Sequence, residues 1–161
     1  MHDGWDNFFL ADVGAAAALA GLIFVAVSIN IEEILRYPWL PGRAASTIAI
    51  LIAALIEGSL ALVPDQTLRQ LGIEILVVAG LVWFALLRVQ RNAIRHPDYS
   101  THTSPGRSVL VEQLGSLPAL VAGVVLIADS SRGLGVLAFA ILAAFVVAVA
   151  NAWILLVEIR R

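Results

Sequence analysis

The sequence predicts an all-α membrane protein, a bundle of five transmembrane helices. Of its 161 residues, 60% are hydrophobic and only 14% are charged, whereas soluble domains average about 45–50% apolar and about 25% charged. A chain of this length buries only about 70% of the surface that its unfolded form exposes, so it cannot hide this much apolar surface from water. The chain has no cysteine, which excludes a disulfide-stabilised fold. We therefore expect a single domain, residues 1–161, in a lipid bilayer.

Five stretches are long and apolar enough to cross the bilayer, which requires about 20 helical residues. They are separated by segments rich in proline, glycine and polar residues, which are typical of turns. The predicted spans are residues 8–30, 44–63, 68–87, 109–128 and 133–157, with a polar cytoplasmic loop at 92–107.

The arginine residues predict the orientation, because cytoplasmic loops carry an excess of positive charge. All ten basic residues are arginine, and eight of them lie on the side of the first loop, the third loop and the C-terminus. Only Arg69 and Arg132 lie on the other side. We expect the N-terminus outside and the C-terminus in the cytoplasm.

Small residues recur at helical spacing along the first two spans. They are Gly14, Ala17 and Gly21 in the first span, and Ala49 and Ala53 in the second. Small residues let helix backbones approach closely in lipid, where packing drives helix association. We favour packing seams within the chain, and the alternative is a subunit interface. A homo-oligomer is expected in either case, because five short helices enclose little core.

The fourth and fifth spans carry residues that disturb or join helices. Pro118 lies near the middle of the fourth span, shortly after Gly115, and an internal proline removes one backbone hydrogen bond and kinks a helix. This predicts either a hinge or a packed kink. Asn151 lies inside the fifth span, where an amide is expected to hydrogen-bond between helices.

Four acidic residues lie inside the predicted spans, and the three of them in the predicted outer half give the most specific functional signal. Glu57 lies about 10 Å from the turn at Pro64, and Glu74 lies about 13 Å from the same turn on the next helix. The two carboxylates are therefore expected at similar depth in the outer half, and Asp12 lies about one turn inside the first span. A charge at mid-bilayer costs about 2.5–3.5 kcal/mol on insertion scales, so such residues usually face the bundle interior or water.

Three interpretations of these carboxylates compete. In the first, which we favour, Glu57 and Glu74 bind or pass a cation or a proton, as carboxylate rings do in pores. In the second, one acid is kept neutral by burial and hydrogen-bonds between helices. In the third, a carboxylate reaches the interface and pairs with Arg69.

The predicted cytoplasmic half is richer in charge, and we interpret its charges as interface ion pairs. Glu32 and Arg36 stand four residues apart on a helical extension, the spacing of a surface pair. Glu112, at the start of the fourth span, is expected to pair with Arg88 at the end of the third.

The cytoplasmic loop contains His96, Asp98 and His102, which form a possible metal ligand set. Their spacing matches no established metal motif, so we do not expect a metal site. The sequence also lacks a His-Glu-x-x-His motif, a Gly-x-Ser-x-Gly motif and a P-loop. These absences predict a protein that is not an enzyme and needs no cofactor. Without a basic face, no nucleic-acid partner is expected either.

The first helix carries the segment GAAAALAGLIFVAVSIN, residues 14–30, followed by Ile34 and Leu35. This segment resembles the first helix of a group of small uncharacterised bacterial membrane proteins, and with the residues up to Leu35 it covers about a seventh of the chain. The resemblance implies a multi-span protein of the bacterial inner membrane, and it supplies no catalytic or ligand residues.

These observations predict a small cation-selective channel or channel-like pore. Its pathway would include Glu57, Glu74 and Asp12, Pro118 would serve as a hinge, and its partners would be membrane lipids and further copies of the chain. The alternative is a non-conducting accessory subunit, which would dock its first helix, through residues 14–21, on a larger membrane complex.

Overall fold

The computed structural model describes residues 4–95, 105–128 and 131–156. Within these ranges the regular elements are six helices, and none is a strand. They are α1 (Trp5–Ile29), α2 (Ile31–Leu35), α3 (Leu40–Ala61), α4 (Leu68–Ile94), α5 (Pro105–Ile127) and α6 (Arg132–Leu156). All except α2 are long and apolar enough to cross a membrane, which confirms the all-α fold with five membrane helices.

Two helices extend past the limits that hydropathy predicts. The α3 helix begins at Leu40, with Pro41 in its first turn, where a proline costs no hydrogen bond. Arg43 is therefore a helical residue. The α4 helix continues to Ile94, a further seven residues past the predicted end at 87. Both extensions bring polar side chains onto helices that pack in the bundle.

The start of α4 is fixed by local hydrogen bonds. The Thr67 hydroxyl accepts a bond from the Gln70 backbone N–H at 3.2 Å, and the Gln70 side chain accepts one from the Thr67 N–H at 3.0 Å. This reciprocal pair satisfies two donors that a helix N-terminus leaves free. In the preceding turn, Asp65 adopts a left-handed φ of 57°, which short polar residues tolerate.

The helices form a four-helix ring with one helix outside it. α3 packs against α4, α4 against α5, α5 against α6, and α6 against α3, so these four helices surround a common interior. α1 packs chiefly on α3, with a smaller contact to α6. The interior of the α3–α6 bundle is therefore enclosed by one chain.

The α4 and α5 helices touch through two glycines. A Cβ atom added at Gly72 would lie 2.7 Å from the Ile127 nitrogen and 2.8 Å from the Gly123 oxygen. A Cβ added at Gly123 would lie 2.6 Å from Leu76 Cγ. Only glycine fits this crossing at the observed separation, and close approach of this kind is what holds helices together in lipid.

Polarity in this bundle is the reverse of that in a soluble domain. Large apolar side chains cover the outside, as at Leu22, Leu81 and Val146, which are 68–70% exposed. The buried polar or charged residues that the structure describes are Asp12, Ser46, Thr47, Glu57, Gln90, Glu112, Ser116 and Asn151. This distribution suits a protein whose surface faces lipid, and we conclude that the chain is embedded in a membrane.

The small residues of α1 do not form a seam within the chain. Gly14, Ala17 and Gly21 are exposed, and no atom lies within 4 Å of a Cβ added at either glycine. The packing within the chain that we expected at this stripe is wrong, because α1 turns the opposite face toward α3. In the second span, by contrast, Ala53 is buried and Ala49 is half-buried.

Candidate functional site

A small cavity lies in the interior of the α3–α6 bundle. Its volume, counted as the space open to the centre of a water molecule, is about 10 Å³. This is about enough for one water. Its polar lining comes from Glu57 and Ser116. Its apolar lining consists of Ile50, Ala53, Ala54, Ala79, Val82, Gly115, Ala119 and Ala144.

Glu57 reaches this cavity from α3 and is only 4% exposed. Among the described residues, no side chain or backbone group forms a hydrogen bond or ion pair with it. The adjacent Gly58 lets α1 approach, since a Cβ there would lie 3.0 Å from Val13 Cγ2. Glu57 thus lies in the interior of the α3–α6 bundle, next to the point where α1 approaches α3, and its carboxyl group has no partner among the described residues.

Asp12 is buried at the same end of the molecule. It belongs to the face of α1 that also carries Phe9 and Ala16, both fully buried. One of its carboxyl oxygens, Oδ2, is enclosed and has no hydrogen-bond partner in the part of the chain that the structure describes. The two acids therefore lie in the same half of the bundle, on the neighbouring helices α1 and α3.

Glu74 does not share this environment. It is half-exposed, and its Oε2 atom accepts a hydrogen bond from the side chain of Gln66 in the preceding turn. It is not among the residues that line the cavity. The structure therefore separates it from Glu57, although both lie near the same turn. The described ion pairs include none between Arg69 and either glutamate.

A second polar cluster occupies the opposite half of the bundle. Glu112 on α5 accepts a hydrogen bond from Gln90 on α4, and both side chains are buried. The Arg43 guanidinium on α3 lies close enough to Glu112 to attract it electrostatically. The expected pairing of Glu112 with Arg88 is wrong, because Arg88 lies over the Phe84 ring at 4.4 Å on its own helix.

Arg43 joins this cluster to α6. It donates a hydrogen bond of 3.2 Å to Asn151 Oδ1, and Asn151 is 1% exposed. Three buried donor atoms here have no partner among the described residues: Arg43 Nε, Ser46 Oγ and Asn151 Nδ2. Buried donors are nearly always satisfied in folded proteins, so this cluster has the hydrogen-bonding capacity to hold water or another acceptor.

Ser116 lies on α5 about one helical turn from Glu112 and lines the cavity. Its hydroxyl donates to the backbone oxygen of Glu112 at 3.1 Å, while its side chain lines the same cavity as Glu57. Gly115, next to it, lies against α6, since a Cβ there would be 3.1 Å from Val147 Cγ1. Pro118 lies inside α5, which is helical on both sides of it, and its role as a hinge stays a prediction.

The cluster around Arg43 and Gln90 was not predicted from the sequence. Both residues lie outside the predicted spans 44–63 and 68–87, and no partner in the bundle interior was predicted for either. The sequence does allow longer helices that include them, because neither residue is a helix breaker and no proline separates either from its span. Nearby, Arg36 pairs with Glu33 at 3.1 Å, and not with Glu32 as expected.

The proposed loop ligands His96, Asp98 and His102 lie outside the described residues. Within residues 4–95, 105–128 and 131–156, no group of three or more His, Asp or Glu side chains is placed to hold a metal ion. Comparison with protein-family models, with characterised proteins and with solved structures finds no match to this chain. The functional argument therefore rests on the bundle interior itself.

Proposed function

We propose that the protein conducts a cation across the membrane through the interior of the α3–α6 bundle, with Glu57 as the central binding site. The observation that carries this proposal is a buried carboxyl group, without a partner among the described residues, on a cavity large enough for one water. Ionisable groups are costly within a membrane and commonly mark ion or proton pathways. The proposal requires no cofactor and no catalytic step.

Polar groups in both halves of the bundle support a path across it. Arg43 and Glu57 lie 14 residues apart on α3, which is about 21 Å along a helix axis. The hydrocarbon core of a bilayer is about 30 Å thick. The cluster around Arg43 and the carboxyl group of Glu57 would therefore place polar groups over most of that thickness, with Ser116 between them.

The orientation and location of the protein are part of this proposal. The arginine distribution favours an N-terminus outside and a C-terminus in the cytoplasm, and the resemblance of residues 14–30 favours a bacterial inner membrane. In this orientation Glu57 and Asp12 lie in the outer half, and Arg43 and Glu112 lie in the cytoplasmic half. A cation would therefore meet the acidic groups first when it enters from outside.

The proposed pathway lies within one protomer. Glu57 is enclosed by helices of a single chain, so it is not placed to line a central pore between subunits. Oligomerisation would then add protomers without creating the pathway. This differs from the carboxylate ring between subunits that the sequence suggested.

Reconstitution into liposomes tests the proposal. Purified protein should produce a cation flux above that of protein-free liposomes, and Glu57→Gln should abolish most of it. Glu57→Asp, which keeps a carboxyl group, should retain more flux than Glu57→Gln. The matched control is Glu32→Gln, the same chemical change at an exposed residue of α2. Equal flux in Glu57→Gln and Glu32→Gln would contradict the proposal.

The exposed face of α1 favours a second candidate function. Gly14, Ala17 and Gly21 leave a smooth surface that nothing in the described chain covers, and such surfaces suit helix–helix contact in lipid. On this alternative, the protein is a non-conducting subunit that docks α1 on another membrane helix. Native mass spectrometry of the wild type and of Ala17→Leu distinguishes the two. Docking predicts a different, co-purifying membrane protein that Ala17→Leu releases, whereas a stable assembly of this chain alone favours the first function.

A further inference from the structure

We infer that the conducted cation is a proton and that metal cations are excluded. This inference rests on the proposed conduction through Glu57 and identifies the species that the site would carry. Two observations carry it: the scarcity of oxygen ligands at the cavity, and the unpaired donors in the opposite cluster around Arg43.

The cavity is too poor in oxygen atoms for a metal cation. Only the carboxyl group of Glu57 and the hydroxyl of Ser116 are polar, and the other lining residues are apolar. Hard cations such as Ca²⁺ and Mg²⁺ take about six or more oxygen ligands, and K⁺ filters replace the hydration shell with rings of carbonyl oxygens. There is room for about one water beside Glu57. A metal ion here would lose its hydration without replacement.

A proton needs only one acceptor group and one water. The Glu57 carboxylate can take a proton and become a carboxylic acid, and it can return that proton to the cavity water. The protonated water then gives a proton to the Ser116 hydroxyl oxygen, while the hydroxyl turns away from the backbone oxygen of Glu112 and gives its own proton to a water in the cluster around Arg43. After each passage Glu57, the cavity water and Ser116 are back in their starting protonation states, so atoms and charge balance.

Arg43 sets the charge of the second half of the path. Its guanidinium lies near Glu112 on the cytoplasmic side of Ser116. A positive charge at this point opposes a metal cation and an excess proton alike, so the selection between them rests on the oxygen ligands of the cavity. The carboxyl group of Glu112 offsets the charge of Arg43 for either ion.

The cluster around Arg43 has the means to hold the waters that such exchange needs. Arg43 Nε, Ser46 Oγ and Asn151 Nδ2 are buried and have no partner among the described residues. Ordered water is the usual partner of buried polar groups that protein atoms leave unsatisfied. Waters on these donors would lie beside Glu112 and would continue the path from Ser116 toward the cytoplasmic end.

The experiment measures proton and metal-ion flux on the same preparation. The protein is reconstituted in liposomes of phosphatidylcholine and phosphatidylglycerol that contain the pH-sensitive dye pyranine, and valinomycin with a potassium gradient sets the membrane potential. A parallel assay without valinomycin measures uptake of radioactive sodium or rubidium. We expect proton influx without metal uptake. Glu57→Gln and Glu112→Gln should each lower proton influx by about tenfold or more, because an amide has no exchangeable acid proton.

Two further variants protect the test against misfolding. Ala53→Val adds methyl groups at the cavity without changing charge, so it should lower proton influx by displacing the water. Glu32→Gln, on the exposed surface of α2, should leave influx unchanged. Circular dichroism and the elution volume in detergent check that each variant is folded. Leucine at the same position, as in Glu57→Leu or Glu112→Leu, also has no acid proton and replaces a glutamine variant that is not folded.

The outcomes separate this inference from the proposed function. Sodium or rubidium uptake that falls in Glu57→Gln overturns the inference and leaves cation conduction standing. Proton influx that is insensitive to Glu112→Gln or to Ala53→Val also overturns the inference. An absence of any cation flux in the wild type overturns both.

Discussion

The crossing of α4 and α5 gives the sharpest prediction about stability. Gly72→Ala places a Cβ atom 2.7 Å from the Ile127 nitrogen and 2.8 Å from the Gly123 oxygen. Both are backbone atoms, which cannot rotate out of the way as a side chain would. Gly80→Ala, on the same helix, is a matched control, because no atom lies within 4 Å of the added Cβ.

The expected magnitude follows from these distances. To regain an ordinary contact of about 3.4 Å, the two helices must move roughly 0.7 Å apart, and a gap of this size forfeits about a quarter to a half of each contact energy along the crossing. Overpacking of this kind costs about 1–3 kcal/mol. Both variants gain about 1 kcal/mol of helix propensity from Gly→Ala. Gly72→Ala should therefore be less stable than Gly80→Ala by about 1–3 kcal/mol.

Unfolding in mixed detergent micelles, driven by increasing sodium dodecyl sulfate and followed by tryptophan fluorescence, measures this difference. Gly80→Ala should unfold at the same or a higher detergent fraction than the wild type. Gly72→Ala should unfold at a lower fraction than Gly80→Ala. If Gly72→Ala is as stable as Gly80→Ala, the backbone contact between α4 and α5 does not exist as described, and the reasoning fails.

Three further predictions concern residues in other environments. Asn151→Leu removes the acceptor of the Arg43 hydrogen bond and should lower the free energy of unfolding in micelles by about 0.6 kcal/mol, the average for such bonds within membranes, and by no more than about 1.7 kcal/mol; unchanged stability would contradict the bond. Glu74→Gln should reduce cation flux in liposomes less than Glu57→Gln does, because Glu74 is half-exposed and bonded to Gln66; an equal loss would restore it to the pathway. Ala17→Leu should change the free energy of unfolding of the protomer by no more than about 0.5 kcal/mol, as surface substitutions do, and a larger loss would place this face of α1 inside the protomer.

The sequence predicts the five membrane helices well because bilayer thickness and hydropathy determine them together. A span needs about 20 apolar residues whatever its neighbours are, and that requirement can be read from each segment alone. Helix limits are predicted less well. Polar residues such as Arg43 and Gln90 lower the hydropathy of a window, but they do not prevent the helix from continuing through them.

The partners of the interior side chains could not be predicted, because they depend on which helix faces which. A topology diagram places Glu112 and Arg88 at the facing ends of successive spans. In the folded bundle, the extension of α4 brings Gln90 to Glu112 instead. The sequence also does not determine which face of α1 packs against α3. Its central residues are apolar all round, so periodicity does not distinguish a buried face from an exposed one.

The position of Ser116 suggests why the two polar clusters are kept apart. The cavity beside Glu57 has room for about one water molecule. Its lining is mainly small or apolar, and it does not extend to the cluster around Arg43. A closed segment of this kind would limit passive leakage, and the proposed conduction would require a local widening. Pro118 lies two residues beyond Ser116 on α5 and removes one backbone hydrogen bond of that helix. We therefore predict that a hinge at Pro118 would act on the cavity, because the missing backbone hydrogen bond lies beside it.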